Sequence, residues 1–93
     1  MKKNETKKTN RNEVAIEGKV QKVHYASDKC QCFTLEVQNE KGKLWLKVKE
    51  FNPKNIVEDS DNIGCLGYLT TESSEYKGKK KYETVLVATE ISN

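Results

Sequence analysis

Residues 43–51 read Lys43-Leu44-Trp45-Leu46-Lys47-Val48-Lys49-Glu50-Phe51, and this stretch decides the fold. Leu44, Leu46 and Val48 occupy every second position, which is the period of a β-strand with one face in a core. The opposite face then carries two aromatic rings and two ammonium groups, from Trp45, Lys47, Lys49 and Phe51. A face exposed to water has no reason of its own to display Trp and Phe, so this outward side is the candidate binding surface.

Four more stretches alternate in the same way and predict further strands. They run from Val14 to Tyr25, from Phe33 to Val37, from about Ile63 to Thr71 and from Tyr82 to Ile91. Asn39 to Gly42 is typical of a hairpin turn. Residues 53–59 predict one or two helical turns, with Asn52 as the cap and Pro53 at the first helical position. Leu46 is expected to be buried with Leu35, Val37 and Val85.

The order of these elements predicts an all-β fold, a five-stranded OB-fold barrel with a short helical turn between strands 3 and 4. An SH3-like barrel is the alternative. Its strands and turns are usually shorter, and it has no need for the insert at residues 52–62.

Length and charge limit the possible domain organisation. A chain of 93 residues allows one domain. No apolar run approaches the roughly 20 residues that span a membrane, and the N-terminus lacks the apolar part of a secretory signal. Residues 1–12 hold five basic side chains against one acidic, with Met1 as their one apolar residue. We therefore expect a disordered basic arm at 1–12 and the OB-fold domain at 13–93.

The cysteines and the single histidine carry little chemistry. Cys30, Cys32 and Cys65 are odd in number, which together with the absence of a signal predicts a reducing cytoplasmic location. Their spacing, even with His24 added, makes a weak zinc set, so no metal and no other cofactor is expected. No catalytic motif is present. We therefore expect no catalytic residue, no enzymatic activity and no membrane partner.

A second basic cluster follows the predicted fourth strand. Residues 72–81 read ESSEYKGKKK, a polar hairpin with Gly78 near its tip. Such a finger can close over a nucleic-acid strand, with lysines on phosphates and a tyrosine on a base. The predicted binding residues are therefore Trp45, Lys47, Lys49, Phe51, Tyr76, Lys77, Lys79, Lys80, Lys81 and Tyr82. The alternatives are a solvated hairpin, and rings that pack under a loop or in a subunit interface.

Five short motifs, in order, give the chain a family resemblance. They are Asn12-x-Val14-x-Ile16-x-Gly18-x-Val20, Phe33-Thr34-Leu35-x-Val37, Trp45-x5-Phe51, Gly67-x-Leu69-Thr70-Thr71, and Tyr82-x-Thr84-x-Leu86-Val87-Ala88 after a Lys-rich loop. Over about residues 12–91 the chain resembles the bacterial single-stranded DNA-binding proteins and, less closely, the primosomal protein PriB. Trp45 and Phe51 have the spacing of the two rings that stack DNA bases in that family.

The resemblance implies a sequence-nonspecific single-stranded DNA-binding protein of replication or recombination, as a homodimer or homotetramer joined through the first strand. The sequence ends without the family's acidic tail, which is expected of a phage, plasmid or mobile-element variant or of a PriB-like factor, and leaves replication proteins as open partners. Two alternatives remain. One is a protein-interaction module, an accessory subunit of a primase, polymerase or helicase complex. The other is an RNA-binding OB domain, because stacking ignores the 2′-hydroxyl.

Overall fold

The computed structural model describes residues 12–93, which form five strands and no helix. The strands are β1 (Val14–Ala26), β2 (Cys30–Asn39), β3 (Gly42–Phe51), β4 (Asn62–Tyr76) and β5 (Lys79–Ser92). They close into a barrel in the order β1-β2-β3-β5-β4, in which β3 and β5 are parallel and the other neighbours are antiparallel. The predicted all-β class and five-stranded OB-fold are confirmed. The predicted arm lies outside the described residues, except for Asn12.

The barrel core is built from one face of each strand. Its buried members are Val20, Phe33, Leu35, Leu46, Val48, Val57, Ile63, Cys65, Leu86 and Ala88. The predicted burial of Leu46 and Val48 is confirmed, but Leu44 is 46% exposed and the prediction for it was wrong. The reason is that β3 pairs with β5 only from Lys47 to Glu50, so Leu44 lies beyond the closed part of the barrel.

The core neighbour that was predicted for Leu46 on the fifth strand, Val85, lies on the other side of the sheet. Val85 is buried, but it pairs with Lys47, while Leu86 pairs with Val48. Paired residues point to the same side of a sheet, so Leu86 enters the core and Val85 lies on the side of the lysine. The run Val85-Leu86-Val87-Ala88 is apolar at every position, which is why alternation could not decide its parity.

The helical turn predicted at residues 53–59 is absent from the described chain, and the prediction was wrong. The buried side chain of Gln31 supplies the reason. Its Nε2 donates to the carbonyl of Asn55 at 3.0 Å, and its Oε1 accepts from the amide of Val57 at 3.0 Å. These bonds satisfy backbone groups of this segment without a helix, and Val57 enters the core.

The hairpin at residues 72–81 is a continuation of the sheet. Strands β4 and β5 stay paired from Glu72 and Glu83 to Tyr76 and Lys79. A two-residue turn of Lys77 and Gly78 joins them, with φ values of 52° and 77°. Two positive φ angles are those of a type I′ turn, whose twist matches that of the flanking strands. We call residues 72–83 the ribbon.

Within residues 12–93 no helix is long or apolar enough to cross a membrane.

Candidate nucleic-acid interface

The outward side of β3 displays its two rings as predicted. Trp45 is 57% exposed and Phe51 is 58% exposed. They stand six residues apart on one strand, which corresponds to about 20 Å at the usual rise of a strand. We call the side of the barrel that carries these rings the binding face.

Buried apolar side chains form the floor of the binding face between the two rings. Lys47 is paired with Val85, and Lys49 is paired with Val87 on β5 and Cys32 on β2. Val85, Val87 and Cys32 are all buried. Burial raises the pKa of the Cys32 thiol, so it is neutral at physiological pH. The lysine stems therefore cross an apolar floor instead of open solvent.

Two further rings, those of Tyr25 and Tyr68, belong to the binding face. Tyr25 is paired with Cys32 and is 49% exposed, and Tyr68 is paired with Val87 and is 43% exposed. The side-chain hydrogen bond between Tyr25 and Cys30, with 3.9 Å between oxygen and sulfur, is the main reason that the pKa of Tyr25 is raised, and desolvation is the second. The strand register brings these rings to the side of Trp45. No local sequence motif indicates that they lie there.

The two lysines in the centre of the binding face are already paired with carboxylates. Lys47 Nζ lies 2.9 Å from Glu83 Oε1, and Lys49 Nζ lies 2.7 Å from Glu72 Oε2. These hydrogen bonds are the main reason that the pKa of each lysine is raised, so both ammonium groups stay charged. Sequence reasoning missed both carboxylates, because the partners are 36 and 23 residues apart in the chain.

The ribbon divides its predicted binding residues between two faces. Tyr76 is paired with Lys79, and both side chains lie on the same face of the ribbon as Glu72, which is the side of the binding face. Lys81 shares this parity. Lys77 lies in the turn, with its Nζ 5.4 Å from the centre of the Tyr76 ring, a cation–π contact.

The opposite face of the ribbon carries Lys80 and Tyr82. Lys80 is paired with Glu75, and Tyr82 is paired with Ser73. Tyr82 is as exposed as Tyr76, at 69%, but it points away from the binding face. The structure therefore does not bring these two predicted residues together with Trp45.

The single histidine of the chain is hydrogen-bonded across the β1–β2 pair. His24 Nε2 is hydrogen-bonded to Thr34 Oγ1 at 2.7 Å on an exposed part of the barrel. In the described part of the chain, no three His, Cys, Asp or Glu side chains are grouped to hold a metal ion. The binding face is therefore a surface of rings, paired charges and an apolar floor.

Comparison with known proteins identifies the fold. No protein-family model matches the sequence, and no curated protein matches it. Among solved structures, the small single-stranded DNA-binding protein of Streptomyces coelicolor is similar, with a TM-score of 0.65, 15% identity, and coverage of 89% of this chain and 94% of that one. The mitochondrial single-stranded DNA-binding protein Rim1 of S. cerevisiae has a TM-score of 0.63, 16% identity and coverage of 86% and 91%.

A single-stranded DNA-binding protein of Plasmodium falciparum, in complex with single-stranded DNA, matches equally well. Its TM-score is 0.65, at 12% identity, over 99% of this chain and 96% of that one. At these identities the likeness shows the fold alone. The chain thus has the OB-fold of the single-stranded DNA-binding proteins, and the SH3-like alternative is excluded.

Proposed function

We propose that this chain is a non-enzymatic protein that binds single-stranded DNA without strong sequence preference, in DNA replication or recombination. The observation that carries the proposal is the row of exposed rings on one side of an OB-fold barrel, above all Trp45 and Phe51. Proteins with the same fold include one solved with single-stranded DNA bound. Exposed lysines on the ribbon supply positive charge beside the rings.

The rings account for a preference for unpaired bases. Stacking needs a free base face, which a duplex hides, and every base offers one. Each stack is worth about 1–3 kcal/mol and is tolerant of sequence. Trp45 and Phe51, about 20 Å apart, would each take a base, while Tyr76 offers a third stacking surface on the ribbon.

A second candidate is a docking site for a protein. It is favoured by the pairing of Lys47 and Lys49 with carboxylates, which makes the centre of the binding face neutral. Exposed aromatic side chains are also the usual anchors of protein interfaces. The two candidates differ in salt dependence, because a complex led by phosphate contacts weakens steeply as salt rises.

We also propose that the protein is a homodimer or homotetramer joined through β1. Residues 14–17 pair with β4 on one side, and within residues 12–93 no strand pairs with their other side, because β2 joins only from Lys19. Such an unpaired edge can take up a second copy of the same strand. Sedimentation velocity across a range of protein concentrations tests this, and a monomer at all concentrations would refute it.

Fluorescence of the only tryptophan tests the proposed binding. Titration with poly-dT, poly-U and duplex DNA at two salt concentrations should quench Trp45 with single strands and much less with duplex. A matched pair of variants locates the site. Tyr76→Ala should weaken binding to poly-dT, whereas Tyr82→Ala, equally exposed on the other face of the ribbon, should not. Failure of poly-dT to bind at low salt would leave the docking function as the better account.

A further inference from the structure

We propose that Glu72 and Glu83 keep phosphates out of the centre of the binding face by holding Lys47 and Lys49, and so leave the phosphate contacts to the ribbon. The inference rests on the proposed function, since it assigns the path of the strand on the same face. The carboxylates would then determine the path of the DNA strand. Bases would lie over the centre of the binding face, and the sugar-phosphate backbone would lie along the ribbon.

The two lysines and the two glutamates neutralise one another in pairs. Glu72 and Glu83 stand directly opposite each other in the β4–β5 pair. Like charges in that position destabilise a sheet unless something neutralises them. Lys49 reaches Glu72 at 2.7 Å and Lys47 reaches Glu83 at 2.9 Å, so each carboxylate has its own ammonium group from β3. The centre of the binding face therefore carries two positive and two negative charges and no net charge.

A phosphate that recruited these lysines would meet two penalties. It would break charge-assisted hydrogen bonds, which are the strong kind. It would also leave two facing carboxylates unneutralised beside a polyanion. The lysine side chains are themselves only 30% and 21% exposed, above the apolar floor, where charge interactions are screened less than in open water.

The lysines of the ribbon have no such restraint. Lys79 and Lys81 are exposed on the side of the binding face, and neither is in a salt bridge within residues 12–93. Lys77 is exposed at the tip, beside the Tyr76 ring. A strand that laid its bases over the neutral centre and its backbone along the ribbon would satisfy the rings and these lysines together.

Removing the carboxylate charges tests the inference. Glu72→Gln and Glu83→Gln keep the shape of the side chain and free the lysines, and each should tighten oligo-dT binding about threefold or more at low salt through one added phosphate contact. The double variant should steepen the salt slope by about 1.4, since each added phosphate contact contributes about 0.7. Glu75→Gln is the matched control, because it makes the same change in net charge on the other face of the ribbon.

Lysine variants complete the design. Lys49→Gln in the otherwise unaltered chain should leave the salt slope within about 0.3 of its original value. Lys81→Gln should lower it by about 0.7. Equal tightening by Glu72→Gln, Glu83→Gln and Glu75→Gln would show a general charge effect and overturn the inference. A decrease of about 0.7 in the salt slope of Lys49→Gln, equal to that expected of Lys81→Gln, would overturn it as well.

If the Gln variants do not fold, a measurement on the unaltered chain tests the inference instead. NMR of the lysine ammonium groups should show that Lys79 and Lys81 shift on addition of oligo-dT while Lys47 and Lys49 keep their signals. Shifts of Lys47 and Lys49 equal to those of the ribbon would refute the inference. If oligo-dT does not bind the unaltered chain at all, the proposed function has failed instead.

Discussion

Trp45→Ala is the most direct test of the binding face. In the free protein the ring is 57% exposed and lies outside the core cluster, so its removal takes away little packing. Strand propensity differs by at most about 1 kcal/mol between such residues, against a usual stability of about 5–15 kcal/mol for a domain. The variant should therefore stay folded, with a cooperative melting transition close to that of the unaltered chain.

The loss of binding should be much larger than the loss of stability. A base stack worth about 1–3 kcal/mol corresponds to a decrease in affinity of about 5- to 150-fold. Phe51 stands about 20 Å away, so the two effects should add, and the double variant should lose about 2–6 kcal/mol. The preference for single strands over duplex should fall with it, because both rings need unpaired bases.

The assay must not rely on tryptophan, since Trp45 is the only one in the chain. Anisotropy of a fluorescently labelled oligo-dT measures binding by every variant on the same scale. Tyr82→Ala is the control, as it removes an exposed ring from the opposite face of the ribbon. Binding by Trp45→Ala within twofold of the unaltered chain would refute the stacking role, and loss of the fold would refute the assignment of Trp45 to the exposed side.

Three further predictions concern the core, the thiols and the N-terminus. Leu46→Ala should lower the free energy of unfolding by about 2–5 kcal/mol in urea titrations, and a change below about 0.5 kcal/mol would contradict its place in the core. Burial raises the pKa of Cys65 to about 11, and that of Cys32 is raised too, so iodoacetamide at pH 8 should modify Cys30 first. Oligo-dT should slow that reaction, since Cys30 is paired with Phe51; an unchanged rate would argue against contact there. Deletion of residues 1–11, which carry five basic side chains against one acidic, should weaken single-strand and duplex binding alike and flatten the salt slope; loss of the single-strand preference itself would speak against the rings.

The strand that carries the rings was predictable because its two faces differ. Leu46 and Val48 alternate with polar or aromatic residues, and only one parity buries them. The fifth strand was not predictable in the same way, since Val85 to Ala88 would suit a core on either side. Because every position in this run is apolar, Val85 and Val87 form the floor of the binding face although they lie outside the core cluster.

Features that depend on distant partners escaped sequence reasoning for a common reason. The path of residues 53–57 is set by the side chain of Gln31, about 25 positions earlier in the chain. The neutralisation of Lys47 by Glu83 needs the parallel β3–β5 pair, which joins strands that are far apart in sequence. Local pattern can predict that a lysine points outward, but only the register identifies the carboxylate that it meets.

Fold and binding face depend on the same register. Because side chains alternate with a period of two, a slip of one residue in β3 would bury Trp45 and Phe51 and expose Leu46 and Val48. It would also separate Lys49 from Glu72, which would leave the two facing carboxylates of the β4–β5 pair without their counter-charges. The paired charges therefore favour the register that exposes the rings, and a variant that breaks them tests the strand alignment as well as the phosphate contacts. The unfolding free energy of Glu72→Gln, measured beside its affinity for oligo-dT, separates these two effects.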